Sequence, residues 1–177
     1  LWCTNGTPIG TRVVADLRPG SDGSYPRNLT ASGSILFFLA DDGVHGSELW
    51  RSDGSAAGTW LVTDLLPGPG HGALLDVVGL PGGAVFPGDD GVNGTELWFS
   101  DGTPAGTTLL RDIAAGPASS SPGSFAAING RVWFSADDGF SGAEPWTTDG
   151  TSAGTSMLAD LRPGSGSSRS GYFTALG

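Results

Sequence analysis

The three Glu residues of this chain each follow a pair of aspartates by a few positions, in the same arrangement each time. Carboxylates on a glycine-bearing loop are suitable ligands for Ca²⁺, which takes roughly six to eight oxygens in a flexible geometry. The spacing differs from that of an EF-hand loop. The candidate calcium ligands are Asp41, Asp42, Glu48, Asp89, Asp90, Glu96, Asp137, Asp138 and Glu144.

The same carboxylates also have a structural interpretation. An Asp side chain often accepts hydrogen bonds from backbone N–H groups of its own turn, and each Glu can pair locally or with a neighbouring unit. The loops therefore predict either calcium sites or turns that the carboxylates stabilise. Ca²⁺ is the only cofactor that the sequence suggests.

Aromatic and cationic side chains are the candidates for ligand contacts. Trp rings stack well on sugars, but Trp residues that recur at one repeat position are expected to pack between neighbouring units, since aromatics carry large buried areas. These recurring residues are Trp2, Trp50, Trp98 and Trp146. Residues that differ from copy to copy are better candidates for ligand binding. They are Trp60, His45 and Arg51.

No set of residues predicts catalysis. The sequence shows neither a Ser-His-Asp order nor a zinc-ligand spacing. Catalysis by carboxylates normally needs an acid and a base with different pKa values in one asymmetric site. Carboxylates copied in every unit argue against that asymmetry, so a glycosidase or lyase is the least favoured function and no catalytic residue is assigned.

Charge and composition exclude other classes of function. The formal net charge is −10, and the eight cationic residues other than His are all Arg. Such a surface repels phosphate backbones and anionic lipid, so nucleic-acid binding is not expected. No apolar run is long enough for a transmembrane helix, so membrane insertion is not expected either. The 31 Gly and 12 Pro residues favour many short elements joined by turns.

A gapless repeat of 48 residues must position these side chains. Trp50 and Trp98 mark the period, and Gly-Thr pairs and Asp-Asp-Gly triplets follow it. A period of this length indicates stacked or radially arranged supersecondary units. We predict a single repeat domain, 1–177. Its units are approximately 1–33, 34–81, 82–129 and 130–177.

Each unit contains four strand candidates. The first is a short apolar run such as 35–40, and the second is the Glu-Leu-Trp segment. The third is 59–65, in which alternation places Leu61 and Leu65 on one face. The fourth is 74–80. Asp-Gly, Pro-Gly and Asn-Gly pairs between these runs are typical of tight turns.

Four antiparallel strands in a unit of this size are typical of a propeller blade. The sequence thus predicts an all-β fold, a β-propeller of four-stranded antiparallel blades with the first strand innermost and the fourth at the rim. A β-solenoid is the rival, although its units are usually shorter and parallel.

Ring closure stays open. The chain begins at the second strand of a unit, so the first of the four units lacks its first strand. Three interpretations fit: a fragment of a longer array, two chains forming one ring of about eight blades, or a four-bladed ring with one incomplete blade.

The phrase Glu-Leu-Trp-x-x-Asp-Gly-Thr resembles the repeat of the bacterial ELWxxDGT repeat family. Residues 96–103 match it fully, and 48–55 and 144–151 differ at one position each. The opening copy lacks its Glu and has Asn5 in place of Asp. The resemblance covers nearly the whole chain. It implies a bacterial repeat protein that is secreted or attached to the cell surface, and it adds little about chemistry.

The leading functional hypothesis is a non-enzymatic, multivalent binding module, because repeated identical loops offer several equivalent weak sites. A lectin-like or adhesin-like role at the cell surface or outside the cell makes glycans or an extracellular matrix component the expected partners. A second copy of the chain that completes a propeller ring is a further expected partner. The alternative is a purely structural scaffold segment of a larger surface protein.

Overall fold

The computed structural model describes residues 1–73 and 75–175. Over these ranges the chain is all-β and forms four antiparallel sheets. Within the described ranges, no helix could span a membrane. Sheet I has two strands, β1 (Trp2–Cys3) and β2 (Arg12–Val13). It lacks the two strands that open every other sheet, whereas the sequence predicted that the first unit lacks only its first strand.

Sheets II to IV have four strands each, in chain order from one edge to the other. Sheet II contains β3 (Arg27–Ser32), β4 (Ile35–Asp41), β5 (Ser47–Ser52) and β6 (Trp60–Thr63). Sheet III contains β7 (Val78–Leu80), β8 (Gly83–Asp89), β9 (Thr95–Ser100) and β10 (Thr107–Arg111). Sheet IV contains β11 (Gly123–Ile128), β12 (Arg131–Asp137), β13 (Ala143–Thr148) and β14 (Ser156–Met157).

The strand predicted as the fourth of each unit opens the following sheet instead. β7, from the run 74–80, pairs with β8. A two-residue turn with Gly82 at a φ of 86° joins these strands, so the pairing closes a very short loop. Asn129 and Gly130 form the equivalent turn before β12, both at positive φ, which confirms the Asn-Gly hairpin prediction.

These opening strands also lie where neighbouring sheets meet, so their predicted position at the rim is wrong. β3 contacts β7, and β7 contacts β11. Ser32 Oγ donates a hydrogen bond of 2.6 Å to the carbonyl of Leu80. A Cβ on Gly79 would lie 2.6 Å from the carbonyl oxygen of Ala31, so this approach of the two backbones requires glycine. The apolar run of β4 is therefore the second strand, buried because sheets cover both of its faces.

The sheets stack face to face, and each has a front face and a back face. The front face of sheet II carries Phe37 and Leu49, which pack against Phe86 and Trp98 on the back face of sheet III. An equivalent cluster joins sheets III and IV, and a smaller one joins sheets I and II. The described sheets do not close into a ring.

A register shift corrects the predicted faces of β6. Leu61 packs into the cluster that contains Trp50, whereas Leu65 packs into the cluster that contains Phe37. The pairing of β5 with β6 shifts between Leu49 and Trp50. An extra residue in one strand breaks the two-residue alternation, so side chains beyond it change face.

Candidate functional site

Each Asp-Asp-Gly loop is held by hydrogen bonds between its own atoms. In the loop between β4 and β5, Gly43 N donates to Asp41 Oδ1 at 2.6 Å. Val44 N and His45 N both donate to Asp42 Oδ1 at 2.9 Å. The loops 89–93 and 137–141 repeat these three bonds. This agrees with the structural interpretation of the aspartates.

The second oxygen of the central Asp takes a side-chain partner in every loop. His45 Nδ1 lies 2.7 Å from Asp42 Oδ2. The equivalent pairs are Asn93 with Asp90 and Ser141 with Asp138. The hydrogen bond to Asp42 raises the pKa of His45. Burial works to raise the pKa of Asp42, but hydrogen bonds from His45 and Val44 outweigh it and hold that pKa below its usual value.

Each of these loops exposes an apolar side chain at its tip. The residue after the glycine is Val44, Val92 or Phe140, with 63%, 68% and 79% of its surface exposed. The three residues occupy one repeat position, and the hydrogen bonds described above hold each one away from the core. They do not stand out in the sequence, because a single exposed Val is common on any protein surface.

The Glu residues turn away from these loops. Glu48 is fully buried, and its carboxylate accepts hydrogen bonds from Gly72 N at 2.8 Å and from Leu65 N at 3.3 Å. Glu144 is bonded in the same way by Leu161 N and Ser168 N at 2.9 and 3.0 Å. Glu48 thus fastens the connection from sheet II to sheet III, and Glu144 fastens the segment that follows β14.

Of the three Glu side chains, Glu96 accepts the most hydrogen bonds. Its carboxylate accepts hydrogen bonds from the backbone N–H groups of Ile113, Ala114 and Ser120 at 3.0, 3.1 and 3.0 Å. Ser120 Oγ adds a fourth at 2.6 Å. All of these residues are buried.

The three Glu side chains differ in how easily they ionise. Burial raises the pKa of Glu48 to about 7, against the opposing hydrogen bonds from Gly72 and Leu65. Burial also raises the pKa of Glu96. For Glu144 burial works in the same direction, but the hydrogen bonds from Leu161 and Ser168 outweigh it and the pKa is lowered.

The candidate calcium ligands are only partly brought together. Asp41 and Asp42 share a loop, whereas the carboxylate of Glu48 is bonded to the backbone of a different segment. Residues 1–73 and 75–175 contain no group of three or more His, Cys, Asp or Glu side chains that could hold a metal ion. Oδ1 of Asp41 and Oδ1 of Asp42 already accept backbone N–H donors, and Ca²⁺ stays a prediction.

The recurring Trp residues are buried between sheets, as predicted, except at the start of the chain. Trp50, Trp98 and Trp146 have less than a tenth of their surface exposed. Trp146 Nε1 donates to the carbonyl of Ala136 at 3.1 Å. Trp2 has no sheet on its face among the described residues, and 68% of its surface is exposed.

Two of the three predicted ligand-binding residues are in contact. The guanidinium of Arg51 lies 4.2 Å from the ring centre of Trp60, on the adjacent strands β5 and β6. One face of the Trp60 ring is therefore covered by Arg51. His45 precedes β5 and Arg51 lies near its other end, so the three side chains do not form one site.

The Asp-Gly-Thr loops are structural turns. Asp53 Oδ1 accepts hydrogen bonds from Ser55 N at 2.9 Å and Ser55 Oγ at 2.6 Å, and Gly58 N donates to Ser55 Oγ at 2.9 Å. The loops that begin at Asn5, Asp101 and Asp149 repeat the pattern. These hydrogen bonds use the loop's own polar groups, as expected for turns of this type.

The structure also gives His71 a role that sequence reasoning missed. His71 Nδ1 accepts a hydrogen bond of 2.8 Å from Ser47 N. Ser119 and Ser167 accept the same bond at the equivalent positions. His71, Ser119 and Ser167 stand one repeat apart, and each side chain has a hydrogen-bond acceptor. Their different side-chain types hide this shared role in the sequence.

Comparison of the chain with protein-family models, with curated proteins and with solved structures gives no match. Inferences about function therefore depend on the residues and their geometry.

Proposed function

We propose that this chain is a non-enzymatic, multivalent binding module of a secreted or surface-attached bacterial protein, and that its stacked sheets form an arc of a β-propeller. The contacts of β3, β7 and β11 at one edge of the stack support the propeller. The Glu-Leu-Trp-x-x-Asp-Gly-Thr repeats support the surface location. In this proposal the sheets are the scaffold, and the Asp-Asp-Gly loops are the binding elements.

The single observation that carries the proposal is the row of exposed apolar tips. Val44, Val92 and Phe140 project from loops that share one hydrogen-bond pattern. Packed sheets lie about 10 Å apart, so the tips repeat at roughly that separation or more. A row of equivalent weak contacts binds a repeating ligand with high avidity, because several contacts form at once.

The charge of the chain restricts the class of ligand. With a net charge of −10 and two aspartates beside every tip, the row repels sulfated or otherwise anionic polymers. Apolar tips suit the C–H faces of sugar rings. An uncharged, repeating glycan of the cell surface or the extracellular matrix is therefore the preferred ligand.

A specific observation favours a second candidate, a purely structural scaffold. In sheets II to IV the repeated Asp, Glu and Trp side chains are engaged within the fold, for example Asp42 in its turn, Glu96 on backbone donors and Trp98 in the core. In that case the exposed tips have no ligand, and the loops serve only to connect strands.

The test is binding to an array that carries both neutral and sulfated glycans. Wild-type chain is compared with the variant V44S/V92S/F140S, in which all three tips become polar. Ile9→Ser is the matched control, since Ile9 is 98% exposed and lies on a different loop. We expect neutral glycans to bind, and the triple variant to lose on the order of 100-fold in apparent affinity.

Two results decide against the binding module. If wild-type chain binds no glycan or matrix component, or if the triple variant binds as tightly as Ile9→Ser, the tips have no ligand of this class and the scaffold is favoured.

A further inference from the structure

Arg51 is a half-buried cation whose hydrogen-bond donors the fold leaves unused. Its Nε is buried and has no hydrogen-bond partner among the described residues. No ion pair of the described chain includes Arg51. Six other Arg side chains, by contrast, each donate a hydrogen bond within the fold: Arg12, Arg18, Arg27, Arg111, Arg131 and Arg162. A guanidinium carries five N–H donors, so Arg51 can offer them to an acceptor outside the chain.

Packing holds this guanidinium in place. It lies 4.2 Å from the ring centre of Trp60, a distance at which a guanidinium and an aromatic ring attract each other. It also approaches Gly102 of sheet III, since a Cβ built on Gly102 would lie 3.3 Å from Arg51 Nη1. Of the four sheets, only sheet II pairs an Arg with a Trp at these repeat positions. The repeat therefore folds without the pair, and binding costs little side-chain freedom where the pair is present.

Two carboxylates lie near Arg51 without pairing with it. Hydrogen bonds from Ser55 hold the pKa of Asp53 below its ordinary value, and the charge of Arg51 adds to this effect. Asp101 directly precedes Gly102. In both aspartates, Oδ1 accepts the hydrogen bonds of its own turn. Neither Oδ2 has a hydrogen-bond partner among the described residues, so both can accept from a ligand.

A small open groove lies beside these groups, between sheets II and III. Its volume is about 240 Å³, and its lining includes Asp101, the hydroxyl-bearing Ser34 and the apolar Phe37. Phe37 is the strand partner of Arg51 and approaches the same Gly102. Pockets that hold drug-sized ligands have volumes of roughly 300–1,000 Å³, so this groove suits a smaller molecule.

The mixture of charges selects the class of ligand. Asp53, Asp101 and the net charge of −10 repel an anion, whereas Arg51 repels a cation. A hydroxyl group both donates and accepts, so a neutral polyol can accept from Arg51 and donate to the aspartates. The ring of Trp60, 38% of whose residue surface is exposed, offers an apolar surface to the C–H face of a sugar.

We propose that Arg51 and Trp60, together with Asp53 and Asp101, bind one neutral sugar residue through its hydroxyl groups. The site lies at the opposite end of β5 from the tip Val44. It goes beyond the proposed function, because it uses none of the exposed tips and its Arg–Trp pair is present only in sheet II.

The test is an NMR titration of isotope-labelled chain, followed through its Trp indole and Arg Nε–H signals. The probes are the neutral methyl glycosides of glucose, galactose and N-acetylglucosamine, with glucuronate and glucosamine as the charged comparisons. Arg51→Thr and Trp60→Thr introduce the residue that sheet IV or sheet III has at the same repeat position, so the fold should tolerate them. The control is V44S/V92S/F140S, and thermal unfolding checks that each variant folds.

We expect a neutral glycoside to bind with a Kd of about 1–10 mM, as for a small ligand with few contacts. The signals of Trp60 and Arg51 should shift, while that of Trp98 in the core should not. Arg51→Thr should weaken binding by at least about 10-fold, the effect of losing one hydrogen bond to a charged group. Trp60→Thr should also weaken it, through loss of the apolar contact. The triple tip variant should bind as wild type, so failure of the tips and failure of this site are seen separately.

Four outcomes would overturn the proposal. The first is that no neutral glycoside shifts the Trp60 or Arg51 signal at the highest soluble concentration. The second is binding that Arg51→Thr leaves unchanged, which places the sugar elsewhere. The third is tighter binding of glucuronate than of the neutral glycosides, which makes Arg51 an anion site. The fourth is loss of binding in the triple tip variant, which places the sugar at the tips.

Discussion

Replacing Glu96 by Ala tests whether the buried Glu fastens the connection between successive sheets. The substitution leaves three buried backbone N–H donors, those of Ile113, Ala114 and Ser120, without their acceptor. An unsatisfied buried donor costs about 1–3 kcal/mol. Three such donors at about 1–1.7 kcal/mol each, the lower part of that range, give a loss of about 3–5 kcal/mol.

That loss is a large part of the whole stability of a domain, which is about 5–15 kcal/mol. For a chain of this length, about 3–5 kcal/mol corresponds to a fall of roughly 10 °C in the melting temperature. Urea unfolding followed by Trp fluorescence measures the free energy, and amide hydrogen exchange measures the local effect. Exchange should accelerate first at Ile113, Ala114 and Ser120.

Two related variants serve as controls. Glu96→Gln keeps the volume and one acceptor oxygen but turns an amide N–H₂ towards the donors, so we expect about half the loss. Glu144→Ala removes the acceptor of only two backbone donors, those of Leu161 and Ser168, and should also cost less than Glu96→Ala. The reasoning is refuted if Glu96→Ala lies within about 1 kcal/mol of wild type, or if exchange at the three amides is unchanged.

Two more predictions concern stability. The folded-state pKa of Glu48, about 7, lies above its ordinary value of 4.5, so its contribution is fully present below about pH 4.5 and is lost as the pH rises through about 7. The change is about 3 kcal/mol. Urea midpoints at several pH values should therefore fall less with pH in Glu48→Gln, and equal slopes in both proteins would contradict this. Gly58→Ala places a Cβ 2.0 Å from Asp53 Oδ1 and should destabilise by about 2 kcal/mol. The same change should cost much less in an Asp53→Ala background, and an undiminished cost in that double-mutant cycle would contradict the contact.

The repeat made much of the fold accessible to sequence reasoning. The period, the strands and the Asn129-Gly130 turn follow from spacing and turn chemistry, and the burial of Trp50 and Trp98 follows from their recurrence. Recurrence does not show where one unit ends, however. From the sequence alone, the run 74–80 could belong to the sheet before it or to the sheet after it. The short hairpin between β7 and β8 places β7 in the later sheet.

The candidate site was less predictable, since proximity along the chain is a poor guide to what a long side chain contacts. Glu48 follows Asp42 closely in sequence, yet its partner Gly72 lies 24 residues further on. The exposed tips were missed for a different reason. Val44 carries no chemical signal of its own, and only the geometry of its loop shows that it is held outside the core.

Identical repeat positions need not behave identically, because each sheet has different neighbours. Glu48 and Glu96 lie in sheets with another sheet packed on each side, and burial raises the pKa of both. Glu144 lies in sheet IV, on which no later sheet packs within the described chain, and its hydrogen bonds outweigh burial so that its pKa is lowered. The pKa of each Glu therefore depends on the sheets packed around it as well as on its repeat position. The same reasoning explains why Trp2, whose face no described sheet covers, is exposed while Trp98 is core.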